Sequence, residues 1–532
     1  MRILGRHRKE VLAFTLSALA GAAMLGDFDS ERSAARDRTP APAPRTPAPV
    51  PPELVPTTLP QQPSRVLTVS NSPYGRPIQP GFVGLSMEYN AVPAYAGTNP
   101  NAVNPVLAHL IRGLAPGQSP VLRIGGDSTD HTWAPTPSVR RPAGIRFTLT
   151  HKWVAITRSL ARATGARLVL GIDLEANRRA LSASEARLLI GGLGRHAIAG
   201  LELGNEPELY RSYAWYRTRA GLRVLGRPLS YGFPAFAREF RRFGQALPPL
   251  PLAGPAFGGQ RWIGFTTRFV RITSDLQLVT VHRYPLERCG LPAASDLYPT
   301  IPHLLSDAAS RGLAAGVVRY VAAAHARGLP LRVDEMNSVA CGGAPGVSDT
   351  FASALWGLNT MFEFARVGVD GVNIHTFPRA HYRLFGFTRA GGQWLGRVAP
   401  EYFGLMLFAQ AAPPGARLLS LTGSVPQLRT WATQAPDRRI RVVLINDSST
   451  RRQIVAVRPS STAAGAAELV RLTAPALDSR AGVTLGGQSF GRRTATGALT
   501  GPPRTATVQR SPGGYVVSVP PASAAMLTLP RH

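Results

Sequence analysis

The chain runs to 532 residues, 44% hydrophobic and only 17% charged, which excludes a disordered or fibrous protein and is too long for one ordinary domain. A formal charge of +30 invites a polyanionic partner, yet lysine occurs only at Lys9 and Lys152 and no basic run of the kind found in nucleic-acid tails is present, so nucleic acid is not expected.

In chain order, residues 1–26 open with the basic stretch "MRILGRHRKE", followed by the apolar "VLAFTLSALAGAAML". That run is shorter than the ~20 residues of a spanning helix and predicts a signal peptide or an N-terminal anchor, hence export and no other membrane span. Residues 27–63 are Pro-rich and read as an extended linker. Residues 64–80, with "SRVLTVSN", are expected to lend a strand to a later sheet domain.

From 81 to 413, short apolar strands alternate with amphipathic helices. The expected strands are "GFVGLSMEY", "PVLRIGGD", "ARLVLGIDLE", "IAGLELGNEP", "LPLAGPAF", "LQLVTVHRYP", "LPLRVDEMNS" and "VDGVNIHTF". Among the helices between them are "HKWVAITRSLARATG" and "DTFASALWGLNTMFEFARVG". Eight rounds predict a (β/α)8 TIM barrel, and no G-x-G-x-x-G opens the first helix as a dinucleotide fold would require. Residues 414–532 change to short alternating runs such as "RIRVVLIND", "AELVRLTAP" and "GYVVSVP", which predict a C-terminal antiparallel β-sandwich domain. The fold class is therefore α/β: a barrel with an appended sandwich.

A barrel of this kind carries its site at the C-terminal ends of the strands. Carboxylates gather there: Glu88, Asp127, Glu175, Glu206 and Glu335 close the first, second, third, fourth and seventh strands. Strands four and seven lie on opposite sides of the mouth, so Glu206 and Glu335 are expected to face each other. Two such carboxylates ~5 Å apart are the apparatus of a retaining glycosidase. Asp334 precedes Glu335 on its strand and is expected, by alternation, to point away from the sugar.

The motifs "LELGNEP" and "LRVDEMNSVACGGAPGVSDTFASALW", supported by "VLRIGGDSTD", "VHRYP" and "YRLFGFTRAGGQWLGRVAPEYFGLMLF", resemble those of glycoside hydrolase family 79 in clan A, the family of heparanase and of β-glucuronidases. The resemblance implies a retaining β-glucuronidase with Glu335 as nucleophile and Glu206 as acid then base. It implies that the neighbouring Glu335 raises the pKa of Glu206 until the ester forms, that Asn205 donates to the sugar 2-hydroxyl, and that Tyr284 orients the nucleophile. His282 is expected to line the pocket, and Glu88 and Asp127 to bind hydroxyls. For the uronate carboxylate, Tyr382 and the backbone amides of Gly342 and Gly343 match the family's places, although Ala340 and Cys341 stand where heparanase-like members carry Tyr and Gly. Two other readings stay open: a clan A glycosidase for a neutral sugar, and a non-catalytic carbohydrate-binding envelope protein.

In an exported chain, Cys289 and Cys341, following neighbouring strands six and seven, are expected to form a disulfide. No metal or organic cofactor is expected. The expected partner is a carbohydrate, and the expected protein is a monomer, secreted or held at the surface or in the periplasm of a bacterium.

Overall fold

The computed structural model describes residues 65–460 and 465–530. The expected leader (1–26) and linker (27–63) lie outside the described residues.

Strand β1 (Arg65–Tyr74) leads into eight strands: β2 (Val83–Glu88), β3 (Val121–Gly125), β4 (Arg167–Ile172), β5 (Ile198–Leu203), β6 (Leu252–Phe257), β7 (Leu276–Arg283), β8 (Leu331–Met336) and β9 (Gly371–His375). They close in sequence order into a barrel, every neighbouring pair parallel. All residues of β2, β6, β8 and β9 are buried, as strands covered on both faces must be.

The principal helices of the outer ring are α1 (Pro105–Gly113), α2 (His151–Thr164), α3 (Arg179–Leu193), α4 (Phe233–Gly244), α5 (Thr266–Ile272), α6 (Val318–His325), α7 (Phe351–Arg366) and α8 (Pro400–Ala411). Their ends follow local chemistry. Asn104 accepts from the amides of Val106 and Leu107 to start α1, Thr150 accepts from that of Trp153 to start α2, and Gly165 at φ 69° ends α2 in the left-handed region. The barrel is thus the one predicted.

The sheet domain differs in detail from two separate layers. Strands β10 (Arg417–Thr422), β11 (Leu428–Gln434), β12 (Ile440–Asn446), β13 (Gln453–Pro459), β14 (Ala467–Thr473), β15 (Thr484–Leu485), β16 (Ala506–Val508), β17 (Arg510–Ser511), β18 (Gly514–Val519) and β19 (Ser523–Thr528) join β1 in one eleven-stranded sheet. Its order is β15-β14-β19-β12-β11-β10-β1-β13-β18-β17, with β16 beside β14. The sheet curls until β18 meets β12 and β19, enclosing a core of its own that includes Leu67, Val442, Val455 and Leu527. All its pairings are antiparallel except that of β1 with β13. The outer face of the curl joins the barrel core: Trp431, Ile445 and Met526 belong to the same apolar cluster as Phe362 and Phe408.

Candidate active site

The strand ends converge on one polar cluster. Glu206 follows β5 with φ 45° and ψ 56°, a left-handed backbone unusual for a residue with a Cβ, and its amide donates to the Ala256 carbonyl at 3.1 Å. Gly258, just beyond β6, passes so close that a Cβ there would lie 1.9 Å from Glu206 Oε1. His282 Nδ1 sits 3.0 Å from the same oxygen. Across the mouth, a Glu335 oxygen lies within 4.8 Å of a Glu206 oxygen, the spacing of a nucleophile and its acid/base partner rather than of a pair with water between them.

The two carboxylates stand in different surroundings. Glu335 accepts from Arg123 Nη1 at 2.6 Å and from the Tyr284 hydroxyl at 2.9 Å, and His375 Nδ1 lies 3.3 Å from it. Burial alone would raise its pKa, but His375, His282 and Arg123 outweigh burial and hold the carboxyl well below its usual range. Its side chain is 9% exposed, against 19% for Glu206, so Glu206 is the more accessible member of the pair.

Asn205 Oδ1 accepts from Arg123 Nη2 at 2.8 Å, and its amide nitrogen reaches Asp127 at 3.5 Å. Asp127 is exposed to solvent. Desolvation, with Glu88, Glu206 and Glu335 nearby, pushes its carboxyl up to about 7. Glu88 accepts from the Ser128 amide at 2.8 Å and stands 3.3 Å from His375 Nε2. A Cβ at Gly126 would come within 2.2 Å of Glu88 Oε1, and that glycine has φ 72°, so Gly125-Gly126 lets the loop fold over the carboxylate. Glu175 is buried; burial, with Asp130 and Asp127 nearby, raises its pKa against the pull of Arg227.

Three groups escape the sequence reading. Arg123, fully buried, also binds Glu202 at 2.9 Å and so joins Glu335, Asn205 and Glu202. The signal was visible as an arginine inside the apolar run "VLRIGG", since a buried guanidinium must be paired. His375 ends β9 between Glu88 and Glu335. Burial would depress it, but the two carboxylates raise it to about 10, so it is a cation at neutral pH. Glu202, the third, lies beneath the pair. Asp334, expected to point away from the sugar, is fully buried, with its carboxyl 3.7 Å from both Arg123 Nε and His282 Nε2. Glu202, His282 and Asp334, and likewise Glu206, His282 and Glu335, bring ligand-type atoms within 4.8 Å. Arg123 already supplies positive charge to both groups.

The expected uronate site needs a correction. The Gly343 amide donates to the Val339 carbonyl at 3.1 Å, so it is not available to a ligand. Gly342 accepts at its carbonyl from the His381 amide at 2.7 Å, and of the pair only its N–H has no partner among the described residues. Tyr382 is buried, its hydroxyl 3.2 Å from His375 Nδ1 and its ring 6.3 Å from that of Tyr284. Cys289 and Cys341 form a disulfide with Cα atoms 6.2 Å apart, which ties the loop after β7 to the loop after β8.

A closed parallel barrel, two carboxylates within reach of one anomeric carbon and an appended sheet domain define a glycoside hydrolase of the clan A architecture, acting on carbohydrate. Residues 430–526 match the model of the glycosyl hydrolase family 79 C-terminal beta domain, and the resemblance to family 79 is borne out. Two curated relatives are β-glucuronidases. One, from Neurospora crassa, is 23% identical over 426 residues, covering 71% of this chain and 74% of that protein. The other, from Aspergillus niger, is 23% identical over 514 residues, covering 85% and 91%. Among solved structures, a 4-O-α-L-rhamnosyl-β-D-glucuronidase from Fusarium oxysporum 12S, in complex with Rha-GlcA, superposes with a TM-score of 0.66 at 19% identity, over 87% of this chain and 100% of that one. The family GH51 arabinofuranosidase of Xanthomonas axonopodis pv. citri gives 0.61 at 17% identity, over 87% and 100%. At these identities the two structures speak to the fold alone.

Proposed function

We propose that the protein is a retaining β-glucuronidase, exported and acting as a monomer on uronic-acid glycans or glucuronide conjugates. The observation that carries the reaction type is the pair Glu206 and Glu335, with oxygens within 4.8 Å of each other across the mouth. Glu335, ionised beside Arg123 and His375, attacks the anomeric carbon while Glu206 gives its proton to the departing glycosidic oxygen, leaving a glycosyl ester. Water then adds to that carbon, Glu206 takes its proton, and the ester oxygen leaves as the Glu335 carboxylate. Asn205, fixed by Arg123, directs its amide N–H toward the 2-hydroxyl. The two curated relatives, both β-glucuronidases, support the sugar. Export rests on the basic and apolar N-terminal sequence, which either is cleaved as a signal peptide or remains as an anchor.

A second reading, a clan A glycosidase for a neutral sugar, is favoured by one observation: the Gly343 amide is engaged within its own loop. A panel of aryl β-glycosides decides between them. The glucuronide should be turned over fastest, and a 2-deoxy-2-fluoro glucuronide should label Glu335 in a peptide map. Faster turnover of the xyloside selects the neutral-sugar enzyme. No turnover and no label on any sugar leaves a carbohydrate-binding protein.

A further inference from the structure

We propose that Asp130 is a positioning residue for the acid/base turn, holding Asn205 and through it Glu206 in the geometry the reaction uses; the proposal rests on the glycosidase reading above. Asp130 lies in the tight turn Gly126–His131 after β3, is 3% exposed, and sits among the ends of three strands. Its Oδ1 accepts from the amides of Leu174 at 2.9 Å and Glu175 at 3.1 Å, beyond β4. Its Oδ2 accepts from the Asn205 amide at 2.9 Å and from the Tyr210 hydroxyl at 2.7 Å, beyond β5. The Tyr210 hydroxyl is itself 3.2 Å from the Asn205 amide, so carboxylate and phenol clamp that N–H together. The Asp130 carbonyl accepts from Trp215 Nε1 at 2.7 Å, which fixes the hairpin strand Ala214–Arg217. One residue therefore ties both ends of the segment from Asn205 to Trp215.

The turn needs such a tie. Gly204 has φ 78° and Glu206 has φ 45°, and a left-handed backbone at a residue with a Cβ persists only where its surroundings over-determine it. The bonds of Glu206 itself, its amide to the Ala256 carbonyl and its carbonyl to the Leu209 amide, fix the far side of the turn. Asp130 fixes the near side. Only an acceptor with two oxygens can take four donors in this arrangement; an amide in its place turns an NH2 toward two of them.

The test uses Asp130→Asn and Tyr210→Phe in the full chain. Substrates are two aryl glycosides of the accepted sugar, one with a dinitrophenyl and one with a poor alkylphenyl leaving group. A displaced Glu206 withholds its proton where the leaving group needs one, so kcat/KM of Asp130→Asn should fall about 100-fold on the poor leaving group and only about tenfold on the activated one. Labelling of Glu335 by an activated fluorosugar should persist. Tyr210→Phe should show the same ordering, more weakly. Hydrogen exchange of the Asn205 amide, followed in peptides spanning 201–210, should accelerate in both variants. Equal losses on the two substrates, or no loss, overturn the proposal. If Asp130→Asn does not fold, Tyr210→Phe decides by the same criterion. If the wild type turns over no glycoside, the glycosidase reading fails separately, and unchanged exchange of the Asn205 amide then overturns the clamp on its own.

Discussion

At the residue scale, the division of labour between two chemically identical carboxylic acids is set by what surrounds them. Glu335 is ringed by Arg123, Tyr284 and His375, which stabilise its charge; Glu206 meets one imidazole and the open mouth. Glu335→Gln should therefore abolish turnover of every glycoside, whereas Glu206→Gln should cost about 10²–10⁴-fold on poor leaving groups and spare activated aryl glycosides. Azide separates the roles further: Glu206→Ala should yield the β-glycosyl azide, by attack on the ester, and Glu335→Ala the α-azide, by direct displacement from the vacated side. The same product anomer from both variants would refute the assignment. The charge of His375 also links stability to pH. Its pKa rises from 6.5 to about 10 on folding, so its contribution is complete below pH 6.5 and is lost as pH climbs toward 10. Melting curves of wild type and His375→Gln should accordingly converge across that window, and a gap that stays constant would contradict a buried imidazolium.

At the scale of elements, the loops after β7 and β8 form one unit. The Cys289–Cys341 bridge closes a separation of 52 residues, for which the chain-entropy account gives ~4 kcal/mol. Cys341 itself has φ 62°, so the bridge pins a residue in a conformation it disfavours. The loop has other ties as well, from the Gly343 amide to Val339 and from the His381 amide to Gly342. Replacing both cysteines by serine should thus loosen this pair of loops rather than the barrel. KM for a glucuronide should rise about fivefold, close to 1 kcal/mol, with little change for a neutral glycoside and with kcat nearly kept. Steady-state kinetics on both substrates, with thiol counting of the wild type, checks this. Two free thiols in the wild type, or an unchanged glucuronide KM in the variant, would remove the loop from substrate recognition.

At the scale of the whole molecule, barrel and sheet domain share a core. Helix α7 is buried from Phe351 to Ala365, with Phe362 stacked on Trp431 of β11 at 5.3 Å and the Trp431 Nε1 donating to Asn359 at 2.9 Å. α8 adds Tyr402 and Phe403, both packed on Phe490. β1, preceding the barrel in the chain, lies between β10 and β13, so the sheet domain needs both sides of the barrel to be complete. Trp431→Ala should cost ~3–5 kcal/mol, as truncation of a large buried aromatic does. It should lower one common transition, read as coincident loss of near-UV dichroism and activity. Two separated transitions in the wild type would show that the shared core does not couple the units.

The sequence by itself determined the order of elements, the two units and the strand ends that bring Glu206 and Glu335 together. Strand runs buried on both faces, capped helices and "LELGNEP" after an apolar strand are local patterns, and the closed barrel brings strands four and seven face to face once their number is known. The tertiary structure alone decided what surrounds each carboxylate. The partners of Arg123 are 79 and 212 residues away, and the two carboxylates that keep the buried His375 a cation, Glu335 and Glu88, meet it only in the assembled floor. The engagement of the Gly343 amide depends on a bond within its own loop, which leaves no mark in residue order. Periodicity records which face of an element is apolar, whereas charge in a low-dielectric interior depends on distances between strands that are remote in the chain.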